Sequence, residues 1–390
     1  MPYLRALKKP SSSFFLFGPR GVGKSTWLNQ HFANVPYFNL LKNETYLALS
    51  LNPSLIEAKI GSLPPESWIC IDEIQKLPSL LDEVHRLMEE KKYQFALSGS
   101  SARKLKRHGA NLLAGRAITR HMEGFSFSEI ETDFDLRKTL EWGSLPLVVL
   151  KPEICADTLR AYVHTYLREE IKEEGLVRKV EPFVRFLEIA AIMNGQQLNV
   201  ENMAREAKVG RPSVDTYISI LEDTLIAHKL PAYRPKAKVR EQTSPKLYWF
   251  DAGVARGAAG LLDDPVESTW LGTSLETLIF HELRVYNHTQ NKNRLIAYYK
   301  TATGLEIDFV IETQKRQANQ KAHVVCLEIK LARQWNRKWE KPMRSLKETG
   351  KVAVDRMIGI YGGDEKLSFD GFEVLSVKDF LLALQAGQIF

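Results

Sequence analysis

The sequence predicts an α/β protein in three units, and three stretches carry that expectation. At Phe14–Thr26 the apolar strand pattern FFLF runs into a glycine-rich loop and then a helix. A helix pair over Leu198–Leu225 is followed by two short strand patterns, Ala227–Tyr233 and Leu247–Phe250. Further on, Leu305–Ile311 alternates as a strand does, with His323–Leu331 as its return partner. A chain of 390 residues has the length for about two or three domains, each with its own core. Their expected bounds are 1–135, 136–245 and 246–390.

The first loop, Gly18-Pro19-Arg20-Gly21-Val22-Gly23-Lys24-Ser25, is a complete P-loop. Glycines let backbone N–H groups turn inward around phosphate oxygens, Lys24 reaches the β- and γ-phosphates, and the Ser25 hydroxyl serves Mg²⁺. The next helix, Ser25–Phe32 with Thr26 in its first turn, aims its positive end at the same anion. Gly18 through Thr26 is therefore the expected ATP site, with ATP and Mg²⁺ as cofactors. A turn that merely joins strand to helix is the weaker reading, because strand, loop, Lys-Ser pair and helix all agree.

Trp68-Ile69-Cys70-Ile71 reads as a buried strand ending in Asp72-Glu73. A P-loop sheet is expected to set it beside the first strand, where Asp72 holds the Mg²⁺ water shell and Glu73 polarises the attacking water. The competing reading is an acidic N-cap for the helix near Pro78. Given the P-loop upstream, catalysis is favoured. Another buried strand, Tyr93–Leu97, ends in Ser98-Gly99-Ser100-Ser101, and a polar residue there can sense the γ-phosphate.

These motifs, followed by Ala114-Gly115-Arg116 and Gly124-Phe125-Ser126-Phe127-Ser128-Glu129-Ile130, come in an order that resembles the prokaryotic AAA-type ATPases whose C-terminal half is a domain of formerly unknown function. The likeness covers nearly the whole chain and is most specific over the first ~130 residues. It implies an AAA-like P-loop ATPase domain with Lys24, Ser25, Asp72 and Glu73 as its engine and Ser98 or Ser100 as sensor. It also implies an arginine finger, with Arg116 as the leading candidate and Arg103 as runner-up. Such an arginine works at a neighbour's γ-phosphate, so the resemblance implies a homo-oligomer, of which a hexameric ring is one form.

A composition of 44% hydrophobic and 26% charged residues is that of a soluble globular chain and argues against extended disorder. The net charge of +7 and the pI near 9.1 favour an anionic partner without naming it. Cys70, Cys155 and Cys326 are scattered, which fits buried thiols better than disulfides or a metal site. With no secretory leader and no apolar run long enough for a bilayer, the expectation is a cytoplasmic protein without a membrane partner.

In the middle unit, Trp142–Leu150 with Pro152 reads as an exposed joint, and Ile154–Glu174 and Phe183–Met193 read as helices. Leu198–Ala207, the break at Val209-Gly210, and a helix from Pro212 make a helix-turn-helix pattern. Val214, Tyr217, Ile218, Leu221 and Leu225 take the core face of the second helix, leaving Arg211, Ser213, Asp215, Thr216 and Ser219 outward. With the strand pair and its loop bearing Arg234, Lys236, Lys238 and Arg240, this describes a winged helix able to touch DNA. An interdomain scaffold is the alternative, and the acidic Asp215, Glu222 and Asp223 weaken a base-reading role.

In the last unit, Glu328 and Lys330 sit two apart on a strand and share a face. Asp308 with Glu328-Ile329-Lys330 resembles the PD-(D/E)xK nuclease signature, in which carboxylates hold Mg²⁺ and a lysine orients water. Such a resemblance implies a restriction-endonuclease-like C-terminal α/β fold. The helix Leu271–Tyr286 supplies Glu276 and Glu282, both placed on the side of Leu275, Ile279 and Leu283, where burial would demand a cation or donor for each. Glu276 is the better match to the helical acid, and Glu276, Asp308 and Glu328 are expected to converge around Mg²⁺ with Lys330 beside them. A cross-strand Asp–Lys pair explains Asp308 and Lys330 without catalysis, so DNA cleavage is expected to be weak or absent. Two functions stay open: an oligomeric ATPase acting on DNA, and a regulatory or defence-type ATPase that gates a nuclease or a protein or toxin partner.

Overall fold

The computed structural model describes residues 3–101, 103, 105, 112–167, 180–235, 244–301, 303–318 and 320–390. Its first sheet contains β1 (Phe14–Phe17), β2 (Tyr37–Asn39), β3 (Trp68–Asp72), β4 (Gln94–Gly99) and β5 (Ile118–His121), in the order β2-β3-β4-β1-β5 with every pair parallel. Helices α1 (Lys24–His31), α2 (Asn43–Leu51), α3 (Leu55–Ile60) and α4 (Leu80–Glu90) lie between the strands in sequence. All of β1 is buried, as continuous apolar strands are when helices cover both faces of a parallel sheet. The strand that ends in Asp72 does not lie beside β1 as expected: β4 separates them. Phe95, Ala96 and Leu97 are apolar on both faces, and that suits β4 to the sheet's interior.

The supposed exposed joint is helical and largely inside. After α5 (Phe127–Ile130), α6 (Leu136–Trp142) and α7 (Pro146–Leu150), the chain continues into α8 (Cys155–Ala161) and a π-helical turn, Tyr162–Leu167. Pro146 opens α7, where its missing N–H costs nothing, and Leu145 and Val148 are buried. Pro152, the proline named with this joint, is exposed as expected and opens the short 3₁₀ turn Pro152–Ile154.

In the middle unit α9 (Val180–Ile192) packs on α10 (Val200–Ala207) and α11 (Arg211–Asp223). The antiparallel pair β6 (Ala227–Leu230) and β7 (Lys246–Trp249) and then α12 (Ala252–Ala258) follow. Val214, Tyr217, Ile218 and Leu221 are buried as the period requires, and Ile220 joins them. Lys236, Lys238 and Arg240 lie outside the described residues.

The last unit opens with the long helix α13 (Ser268–Thr289), then β8 (Leu295–Lys300), β9 (Glu306–Gln314), β10 (His323–Lys330), α14 (Lys341–Glu348), β11 (Ala353–Tyr361), β12 (Leu367–Phe369), β13 (Phe372–Ser376) and α15 (Val377–Gln385). Its mixed sheet runs β12-β13-β11-β10-β9-β8. Leu275, Ile279 and Leu283 of α13 share a core with Phe309, Ile311, Leu327 and Ile329. On the other face, Met343 and Leu346 of α14 share one with Val310, Val324 and Cys326. Cys70, Cys155 and Cys326 are free and buried, in keeping with the sequence reading.

The segment Gly124–Ile130 stitches the first unit to the last. Ser126 and Glu129 form a reciprocal capping box at the start of α5, and Arg5 donates to Glu129 Oε1 at 3.0 Å. Phe127 enters the core of the last unit, and its N–H donates to Glu282 Oε1 at 2.7 Å. Glu123, just upstream, takes Arg284 of α13 at 2.6 Å.

Candidate functional site

The P-loop follows β1, where a parallel sheet opens its crevice. Gly21 and Gly23 adopt φ of 81° and 96°, the left-handed region that glycine enters without a steric penalty. Gly18 has no space for a side chain, since a β-carbon would stand 2.0 Å from the Met122 carbonyl oxygen. Lys24 is buried at the N-terminus of α1 and donates to the carbonyls of Gly18 and Pro19 at 2.7 and 3.0 Å. Two groups brace the loop from outside: Arg5 donates to the Val22 carbonyl at 2.7 Å, and the Tyr162 hydroxyl donates to that of Arg20 at 3.0 Å. Neither was read from sequence, because each is far from the loop along the chain. A glycine-turned loop with a lysine at a helix N-terminus fits a polyphosphate.

At the end of β3, Asp72 is fully buried. Tyr37 donates to its Oδ2 at 2.8 Å, and the Ser98 hydroxyl donates to its Oδ1. Carboxylate oxygens keep lone pairs beyond one donor each, so Asp72 fits a role in holding Mg²⁺ water. Ser98 also accepts the Glu73 N–H at 3.3 Å, which makes it a brace for the carboxylate pair. Glu73 has a φ of 64° and is half-buried, and Gln75 donates to its Oε2.

Arg116 is exposed and paired with Glu89 of α4. Arg103 is directed instead to the middle unit, where it donates to Ser219 Oγ at 3.1 Å and pairs with Asp223. Part of the outward face of α11 is thus occupied by the first unit. Arg211 pairs with Glu201 at 3.3 Å with both side chains exposed, and Arg234 is exposed.

In the last unit Lys330 Nζ stands 2.6 Å from Glu328 Oε1 and 3.6 Å from Asp308 Oδ2, which also accepts the Ile329 N–H at 2.8 Å. Tyr248 donates to Glu276 Oε2 at 2.8 Å, and Lys246 pairs with Glu306. Burial and the neighbouring Asp308 charge push both Glu276 and Glu328 above the usual carboxylate range. Burial opposes charge on Lys330, but Asp308 and Glu328 outweigh it and raise its pKa. The expected residues are therefore electrostatically joined, but not as a metal cage. Among the described residues no group of three or more His, Cys, Asp or Glu side chains could hold a metal ion. The Lys330 ammonium stands between Asp308 and Glu328, so a cation already occupies the place beside that pair. Glu276 and Glu282 also part company, contrary to the sequence reading, because six residues at about 100° each set them about 120° apart. Glu276 meets Tyr248, while Glu282 meets the Phe127 N–H and is pushed up to about 7 by burial. The donor each was expected to need is present.

Raised carboxyls make stability fall as pH rises. The unfolded chain releases these protons near about 4.3, whereas the folded chain retains them. Stability is therefore lost from that range upward through the raised folded values. Glu328→Gln should flatten this slope, gaining on the wild type between about pH 5 and pH 8, as denaturant midpoints at the two pH values will report.

Compared with known protein families, residues 11–131 match the AAA domain. The N-terminal unit therefore has an AAA-like fold built on a parallel α/β sheet. Residues 133–264 and 271–380 match domains of unknown function, DUF8612 and DUF4143. Two mycobacterial proteins described as uncharacterized, from Mycobacterium bovis and Mycobacterium tuberculosis, are each 23% identical over 308 residues, 77% of this chain and 68% of theirs. A solved structure of the Aeropyrum pernix ORC1 protein in complex with DNA is 14% identical, with a TM-score of 0.31 over 66% of this chain and 87% of that one. The AAA domain spans the P-loop, Asp72-Glu73, the Ser98 strand end and Arg116, so these motifs belong to one AAA-type unit. No described helix is long and apolar enough to cross a membrane.

Proposed function

We propose that the chain is a Mg²⁺-dependent ATPase that works as a homo-oligomer on DNA. The observation carrying the hydrolytic part is the joint placement of a braced P-loop lysine and the Asp72-Glu73 pair within one AAA domain. In this reading Gly18–Thr26 cradles ATP, Ser25 and Asp72 hold Mg²⁺ and its water, and Glu73 orients the nucleophile. Ser98 senses the γ-phosphate through the bond it makes to Asp72. Arg116, exposed on the domain surface, reaches the γ-phosphate of a neighbouring subunit. The basic charge and the exposed Arg211 and Arg234 favour DNA as the anionic partner in a cytoplasmic setting, with the helix-turn-helix and strand pair acting as a winged helix.

One contact favours the second reading, a regulatory or defence-type ATPase. Arg103 ties the end of the sensor strand to Ser219 and Asp223, so nucleotide state can pass to the middle unit and onward to a nuclease-like or protein-binding partner. The Asp308, Glu328 and Lys330 cluster with Glu276 is then a nuclease-like arrangement that serves binding and not cleavage.

ATP turnover with and without single-stranded, duplex and forked DNA, measured beside native mass, tests the reading. Stimulation by DNA and a mass that is a multiple of the chain are expected. Turnover indifferent to every DNA would leave the regulatory ATPase. Specific activity should also rise with protein concentration, and mixing Arg116→Ala with Lys24→Ala subunits should restore part of the activity that each lacks alone. Activity independent of concentration, with no rescue on mixing, would make the engine monomeric.

A further inference from the structure

Gln75 lies in the 3₁₀ turn Ile74–Lys76, immediately past the carboxylate pair, and is buried. Its Nε2 donates to Glu73 Oε2 and also to Ser100 Oγ at 3.2 Å. Its Oε1 is buried without a hydrogen-bond partner among the described residues and fills the space where a side chain on Gly99 would go, 2.6 Å from the position of a β-carbon. Placing an amide oxygen there is unfavourable by itself. The placement is explained if the value of the side chain lies in where it puts its Nε2.

Glu73 supplies the need. Its backbone is left-handed, a conformation that non-glycine residues keep only when their surroundings over-determine it. The Glu73 N–H goes to Ser98 and one carboxylate oxygen to Gln75, so both ends of the residue are fixed against the end of β4. Among the described residues nothing donates to the other oxygen, Oε1. A carboxylate held by one oxygen with the other open is oriented and still able to accept a hydrogen bond from water.

We propose that Gln75 is a positioning residue for ATP hydrolysis. It fixes the rotation of the Glu73 carboxylate so that Oε1 meets the attacking water, and through Ser100 it makes that orientation depend on the strand end that senses the nucleotide. Gly99 is the residue that makes room for it. This assignment rests on the hydrolytic role of Glu73.

Gln75→Met keeps the volume and removes the donor. Turnover should fall by about 10²-fold, the scale of a misplaced reacting group, with ATP affinity and KM unchanged. Gly99→Ala, which pushes a methyl group into Oε1 from another strand, should give the same loss in kcat alone. In a Glu73→Gln background Gln75→Met should cost nothing further, because a residue acting through Glu73 has nothing left to position. Turnover of Gln75→Met and Gly99→Ala equal to wild type, or a full additional loss in the Glu73→Gln background, would overturn the assignment while leaving the ATPase intact. A wild-type chain that binds ATP and never hydrolyses it would overturn the hydrolytic reading itself, and this assignment with it.

Discussion

Replacing Glu73 by glutamine is expected to leave ATP bound and to lower turnover by about 10²–10⁴-fold, the range of a lost general base or water-orienting group. The substitution is isosteric and keeps the backbone N–H that Ser98 accepts, so the end of β3 keeps its shape. The side-chain oxygen of a glutamine can still accept from Gln75, but the carboxylate charge is gone. Lys24→Ala should show the opposite pattern. It removes the ammonium that reaches the phosphates and leaves the water-orienting step untouched, so binding is lost first. Nucleotide titration beside steady-state turnover separates the two variants, and full hydrolysis by Glu73→Gln would remove it from the mechanism.

The motif residues of this site were legible because their chemistry is local. A phosphate cradle needs glycines, a lysine and a hydroxyl within a few residues, and the strand ends that carry Asp72, Glu73 and Ser98 announce themselves as apolar runs meeting polar residues. The order of strands was not legible, since parallel neighbours are joined by long crossovers and nothing in Gln94–Gly99 says which edge it will take. Tyr37, Arg5 and Tyr162 reach the site across the fold, so their roles follow only from packing. Gln75 was closer to hand. A glutamine just past an acidic pair, set between Ile74 and Lys76, is buried in the fold, and the glycine in Ser98-Gly99-Ser100 is the matching vacancy.

The last unit shows where pattern reading stops. Its strands and its long helix were visible in alternation and periodicity, and Glu328 with Lys330 did land on one Asp308. The arrangement of charge was not visible. Leu327 and Ile329 belong to the core under α13, whereas Val324 and Cys326 belong to the opposite core, so alternation turns Glu328 away from the helix that carries Glu276. The helix period by itself sets Glu276 and Glu282 about 120° apart, while their partners, Tyr248 and the Phe127 N–H, follow only from packing.

Replacing Arg284 by methionine should destabilise the chain by about 3–5 kcal/mol, the scale of removing one partner from a buried ion pair. Glu123 sits at the end of the P-loop sheet with only 5% of its side chain exposed, and Arg284 meets its Oε1 at 2.6 Å. His281 and His288 face the same carboxylate at 3.4 and 3.7 Å, the His121 ring lies tilted beside His288, and His228 lies within the same field. Burial alone would raise the Glu123 carboxyl, yet Arg284 and His281 hold it well below the usual range. Removing Arg284 therefore takes away the guanidinium that meets Glu123 Oε1 and leaves the buried charge with only histidines to offset it. Burial keeps His121 at about 4 and lowers His228 and His288. Those histidines add an acid limb with a fixed sign. As pH falls below about 6.5 the unfolded chain takes up protons that the folded chain refuses, so stability drops toward their depressed folded values. His281, raised by Glu123 against the effect of its burial, opposes this limb and gives up its own contribution as pH rises. Glu123→Gln with Arg284→Met removes both charges and should recover most of the loss, because a buried pair costs more to break than to delete. Denaturant midpoints for the single and double variants decide the matter. A single variant within about 0.5 kcal/mol of wild type would mean that the apolar contacts of α13 hold the first and last units together without the ion pair.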